Sequence, residues 1–169
     1  MVVHVFVLGI DPGVSRCGYA VVEARPGRPR PVAIGIITTP PDAPLPSRLA
    51  ELQGELCGLF DDYAPAVVAV ERVFFQHNVR TAMSVGQASG LVMAEAARRG
   101  CEVAQYSPDE VKQAVTGDGA DDKAAVATMV QALLGLPRPP SPADAADAAA
   151  LALCHLAHAP FAAAVEGRR

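Results

Sequence analysis

Apolar residues recur along this chain in two rhythms: short unbroken runs, and longer stretches with an apolar residue every third or fourth position. The first run, residues 2–13 (VVHVFVLGIDPG), is interrupted only by His4 and delivers Asp11 into Pro12-Gly13. A β-branched run closed by a turn reads as a strand covered on both faces, the central position of a sheet. Residues 17–23 (CGYAVVE) and 32–38 (VAIGIIT) read as second and third strands. The Arg- and Pro-rich turn between them makes an antiparallel meander. A fourth run, residues 66–70 (AVVAV), again ends in an acid, Glu71, and residues 101–106 predict a fifth strand. The helical rhythm begins after the proline-rich connector 40–46. Ser47 is the expected cap of a helix reaching about Tyr63, with Leu49, Leu52, Leu56, Leu59 and Phe60 as its apolar stripe. Further helices are expected over 78–99, from Ser107 with a Ser107/Glu110 capping box, over 124–134 and over 143–159.

The 78–99 segment carries two apolar stripes. One runs through Val79, Met83, Gly86, Gly90, Met93 and Ala97, the other through Ala82, Val85, Ser89, Val92 and Ala96. A helix apolar nearly all round is covered on both sides. One side fits the sheet; the other fits a further helix of the same chain or a second subunit, and both readings stand.

The chain has 169 residues, a length suited to one domain spanning 1–169. Strands mixed with helices put it in the α/β class. A net charge of −4 excludes coating of nucleic acid by bulk charge and leaves room for a local basic face. Cys17, Cys57, Cys101 and Cys154 lack CxxC or ligand spacing, so reduced thiols and a cytoplasmic location are expected. The run 2–10 is too short to span a membrane, and His155, His158 and Pro160 interrupt the Ala-rich end. Residues 116–123 (TGDGADDK) lack the acid spacing of a calcium loop.

Chemistry concentrates in acids. Asp11 and Glu71 end buried strands, and Asp144 and Asp147 lie three apart on one face at the start of the last helix. Bland readings exist: Asp11 opens a D-P-G turn, and Ser141 with Asp144 resembles a capping box. Asp147 has no capping duty and sits among alanines, where a carboxylate needs a counter-charge. Crowded carboxylates protonate unless a cation sits among them, and hard oxygens select Mg²⁺ or Mn²⁺. Two such ions about 4 Å apart activate a water and stabilise the leaving oxygen of a phosphodiester. His4, His77, His155 and His158 are scattered and read as structural or surface residues.

The sequence resembles the RuvC Holliday-junction resolvases. The signatures are LGIDPG at 8–13, PSRL at 46–49, VAVERVF at 68–74, GQASG at 86–90, VKQAVTGDGADDK at 111–123 and PADAADAAALALCH at 142–155. They span nearly the whole chain in family order. The resemblance implies an RNase H-like fold, with a mixed five-stranded sheet flanked by helices. It implies a homodimer that nicks two opposed strands of a four-way DNA junction, leaving 5′-phosphate and 3′-hydroxyl ends, and that works with the RuvA–RuvB branch-migration complex. The family's metal-binding acids fall on Asp11, Glu71, Asp144 and Asp147; some members carry a histidine where this chain has Asp144. Its junction-stacking aromatic falls on Phe74, with Phe75 beside it, and its DNA-contacting bases fall on Lys112 and Lys123. The short C-terminus and acidic net charge depart from members with a longer basic tail.

Three rival readings follow. Actin-like ATPases and sugar kinases open with a similar strand but need two large lobes. A non-catalytic junction-binding module gives no reason to gather acids beside phosphates. Another RNase H-like nuclease, acting on RNA–DNA hybrid or other branched DNA, is the serious alternative.

Overall fold

The computed structural model describes residues 4–72, 78–120 and 122–159. Its strands are β1 (Val5–Asp11), β2 (Arg16–Ala24), β3 (Arg30–Thr38), β4 (Val67–Glu71) and β5 (Glu102–Tyr106). Its helices are α1 (Leu45–Tyr63), α2 (Val79–Arg98), α3 (Pro108–Thr116), α4 (Lys123–Leu134) and α5 (Ala143–His158). The strands form one sheet in the order β3-β2-β1-β4-β5. The first three make the expected antiparallel meander, and β4 and β5 join in parallel on the other side of β1. The all-apolar run at the start is thus the central strand, covered on both faces.

Side chains alternate between those faces. Leu8 and Ile10 pack with Leu52, Leu56, Phe60 and Val92, under α1 and α2. Val7 and, on β4, Ala69 pack with Val126, Val130 and Ala148–Ala152, under α4 and α5. Asp11 has the parity of Val7 and Glu71 that of Ala69, so both strand-end acids face α5.

Helix α5 is the most enclosed of the helices. Ala145, Ala146 and every residue from Ala148 to His155 are buried, between the sheet on one side and α3 and α4 on the other. Two glycines set how closely it approaches. A Cβ on Gly9 would lie 2.0 Å from the Ala148 carbonyl oxygen, and one on Gly18 would lie 2.0 Å from that of Asp144. Only a residue without a side chain lets helix backbone rest on the sheet in this way. The run of alanines in α5 serves the same close contact.

Several sequence expectations need correction. Helix α1 starts at Leu45 with Pro44 as its cap residue and no side-chain cap. Ser47 therefore lies inside the first turn. Proline at the second helical position suits a turn whose N–H groups have no intrahelical partner, so the helix extends upstream of Ser47. At α5 the cap residue is Pro142, again without a side-chain bond, so Ser141 and Asp144 form no capping box. The Ser107/Glu110 box is present. Helix α4 begins one residue early, at Lys123, because Asp122 caps it by accepting from the Ala125 N–H at 2.8 Å. In α2 the stripe through Ser89, Val92 and Ala96 faces the core, whereas Val79 is 73% exposed and Met83 57%. Gly86 and Gly90 face open space. Among the described residues, α2 is covered on one side alone.

Candidate active site

The four acids converge where the C-terminal ends of β1 and β4 meet the first turns of α5. Ile10 and Val70 are ladder partners, so Asp11 and Glu71 are the next residues on adjacent parallel strands. Across β1, Asp11 pairs with Gly18, and Gly18 is where the Asp144 backbone sits on the sheet. Asp147, one turn further along α5, comes in above the same strand ends. The acids' mutual effect is electrostatically visible. Burial first, and then the charges of Asp147, Glu71 and Asp144, push the Asp11 carboxyl up to about 7, against the opposing pull of Lys123. Burial and then Asp147 raise Glu71.

Two cations answer this negative charge. Lys123 Nζ lies 2.9 Å from Asp147 Oδ2, and that hydrogen bond is the main cause of a raised lysine pKa. The second cation is one that sequence reasoning missed. Arg16 opens β2 and places a guanidinium nitrogen 2.5 Å from Asp144 Oδ2. The available signal was a cation in the turn after the acid-bearing strand, five residues beyond Asp11. With two acids turned onto Arg16 and Lys123, no three His, Cys, Asp or Glu side chains among the described residues are gathered closely enough to hold an ion as they stand.

Other sequence candidates fall elsewhere. Lys112 is half-buried on α3, and among the described residues no ion pair joins it to the four acids. Phe74, Phe75 and His77 lie outside the described residues. His4 pairs with Glu23 near the start of β1. His155 shares a 2.8 Å hydrogen bond with the Tyr106 hydroxyl, and His158 Nδ1 lies 2.8 Å from the Cys154 carbonyl. Cys17 is near the acids but buried, and burial pushes its thiol up to about 12. A thiol that stays protonated at neutral pH is a poor nucleophile. What remains is a set of hard oxygen donors, partly open to solvent, with flanking cations: donor chemistry that suits a divalent ion once the acids draw together, and cations that can face a polyanion.

Comparison with known proteins yields a consistent set of likenesses. A family model described as crossover junction endodeoxyribonuclease RuvC matches residues 7–155. A Corynebacterium jeikeium protein named crossover junction endodeoxyribonuclease RuvC is 49% identical over 137 residues, 79% of this chain and 84% of its own length. The Streptomyces avermitilis protein of that name is 55% identical over 135 residues, covering 79% of this chain and 77% of its own. Among solved structures, Thermus thermophilus RuvC in complex with Holliday junction substrate superposes with a TM-score of 0.88. It is 36% identical, with 94% of this chain and 97% of that one covered.

Proposed function

The chain belongs to the RuvC family of crossover junction endodeoxyribonucleases, with the RNase H-like fold. From that premise we propose that it resolves four-way DNA junctions by paired, symmetric, metal-dependent nicks. The observation that carries the reading is the convergence of Asp11, Glu71, Asp144 and Asp147, with Asp11 pushed up to about 7 by burial and by the other three. Carboxylates crowded to that extent have a use for added positive charge that Lys123 and Arg16 do not fully supply.

The donor set fits Mg²⁺, with Mn²⁺ as an equivalent hard cation, and Asp11, Glu71, Asp144 and Asp147 would hold it. The bound ion would supply an activated water and stabilisation of the departing 3′-oxygen, leaving 5′-phosphate and 3′-hydroxyl ends. The chain's own residues do the rest. The sheet and α5 fix the acids on rigid elements, Lys123 tempers their repulsion, and Lys112 with the flanking bases supplies backbone phosphate contacts. Phe74 is assigned to stacking at the junction centre.

Two further parts of the reading rest on surface features. The stripe of α2 that no described residue covers, Val79, Met83, Gly86 and Gly90, suits a homodimer whose two-fold axis matches that of a junction. The RuvA–RuvB complex is the partner this role calls for. No described helix is long and apolar enough to cross a membrane, and the four free thiols fit the reducing cytoplasm.

The test uses a labelled four-way junction, a linear duplex and an RNA–DNA hybrid, each with Mg²⁺ or with chelator. Paired nicks in the junction alone, abolished by chelator, are expected. Efficient cutting of the hybrid would move the chain to another branch of the same fold. Asp11→Asn, Glu71→Gln, Asp144→Asn and Asp147→Asn should each abolish nicking while junction binding in chelator is kept or tightened. Full cleavage by any of them would remove that residue from the site.

A further inference from the structure

Arg16 has two features that are hard to reconcile with a purely structural ion pair. The turn just before it is held firmly. Thr39 Oγ1 donates to the Val14 carbonyl at 2.7 Å, the Thr39 N–H donates to the Ser15 carbonyl at 3.2 Å, and Arg48 donates to Ser15 Oγ at 2.5 Å and to Thr39 Oγ1 at 3.0 Å. The Ser84 hydroxyl on α2 accepts the Val14 N–H at 3.2 Å. Yet the Arg16 side chain, at the end of this braced turn, is 52% exposed, and its partner Asp144 is 29% exposed. A long cationic side chain on a fixed base, open to solvent, keeps its alternative rotamers at little cost. An exposed pair of this kind is held weakly.

We propose that Arg16 is a DNA phosphate contact held in reserve on Asp144, and that it is released to the phosphodiester backbone when a divalent cation takes the Asp144 carboxylate. The proposal rests on the reading of the four acids as an ion site. As the chain stands, Asp144 and Asp147 are occupied by Arg16 and Lys123, and the acids are not gathered to hold an ion. A cation that takes Asp144 Oδ2, the oxygen Arg16 holds, displaces the guanidinium, and a planar fork of N–H donors at the mouth of a nuclease site then has one abundant class of acceptor, the phosphate oxygens. Cation binding and DNA binding would therefore favour each other through a single side chain. Lys123 can act in parallel on Asp147, from the start of α4, whereas Arg16 acts from the start of β2.

Arg16→Gln and Arg16→Lys test this with two probes besides cleavage. The first is Mn²⁺ alone, titrated into the DNA-free protein and followed by electron paramagnetic resonance. Removing the competing guanidinium should tighten Mn²⁺ binding by about two- to fivefold in Arg16→Gln, the scale of an exposed ion pair, and less in Arg16→Lys. The second is the salt dependence of junction affinity, measured with Ca²⁺ and with chelator. With Ca²⁺ the slope of log affinity against log salt should fall by about 1 in Arg16→Gln, the loss of one phosphate contact, and return in Arg16→Lys. With chelator the slope should fall by less, because Asp144 then competes with the phosphates for Arg16. An equal drop in slope with and without Ca²⁺, no drop in either, or unchanged Mn²⁺ affinity overturns the proposal. Failure of the ion site itself would appear separately, as a parental protein that binds no Mn²⁺.

Discussion

Replacing Gly18 by alanine isolates the contact that sets Asp144 against Asp11. The added Cβ would lie 2.0 Å from the Asp144 carbonyl oxygen, 2.5 Å from its carbonyl carbon and 3.2 Å from the Ala145 nitrogen. Ordinary contact begins near 3.4 Å, so sheet and helix must separate by about 1.4 Å at this point. Neither partner yields easily: Gly18 is in the β2 ladder directly across from Asp11, and α5 is buried from Ala145 to His155 apart from Asp147. Forced separation in a packed core costs about 1–3 kcal/mol. Displacing a catalytic group by about 1 Å costs on the order of 100-fold in rate. Urea unfolding should report the first figure, and single-turnover nicking of a labelled junction, well below the lowered melting temperature, the second. The two effects need not scale together, because the misplacement acts on the acids even where the chain is fully folded. A Gly18→Ala protein that nicks at the parental rate with unchanged stability would refute the view that backbone contact between α5 and the sheet positions Asp144.

Other perturbations probe the rest of the molecule. Glu23 is held well down, to about 2, by hydrogen bonds first from His4 and then from Arg30, with Arg25 also paired to it. A carboxyl whose folded pKa lies below its ordinary 4.5 adds stability that is complete above that value and lost as pH falls towards 2. Glu23→Gln should flatten the acid limb of a melting-temperature profile between pH 4.5 and 2; an unchanged limb would assign acid sensitivity to other groups. Gly90→Glu meets open space within the chain and replaces a helical glycine, so the monomer should gain about 0.5–1 kcal/mol while light scattering reports loss of the dimer. A stable Gly90→Glu dimer would place the subunit contact elsewhere. Arg28 donates to the Ala132 carbonyl at 2.8 Å and the Leu133 carbonyl at 3.2 Å at the end of α4. Arg28→Ala should cost about 0.3–1 kcal/mol, read as a melting shift of about 1–4 °C, and no shift would mean that the contact contributes nothing in water.

Much of this protein is local physics and was legible in order along the chain. The strand runs, the meander, the capping box at Ser107 and the position of each acid at a strand end or helix start follow from periodicity and turn chemistry. Four carboxylates set in otherwise apolar surroundings already implied a cation. Where the sequence signals failed, two solutions satisfied the same local rule. Ser47 is a good cap residue, but prolines at 44 and 46 also start a helix, and α1 begins upstream. Asp144 follows Ser141 at capping-box spacing, yet its carboxylate goes to Arg16. That choice depends on the β1–β2 turn lying beside α5, which no local pattern encodes. The stripe of α2 through Val79, Met83, Gly86 and Gly90 had two equally good partners; α3, α4 and α5 pack on the opposite face of the sheet, and among the described residues the stripe stays exposed. Gly9 and Gly18 were silent in the sequence for the same reason. A glycine in a strand reads as a weak point until the helix that occupies its missing side chain is in place, and that contact joins residues more than a hundred positions apart.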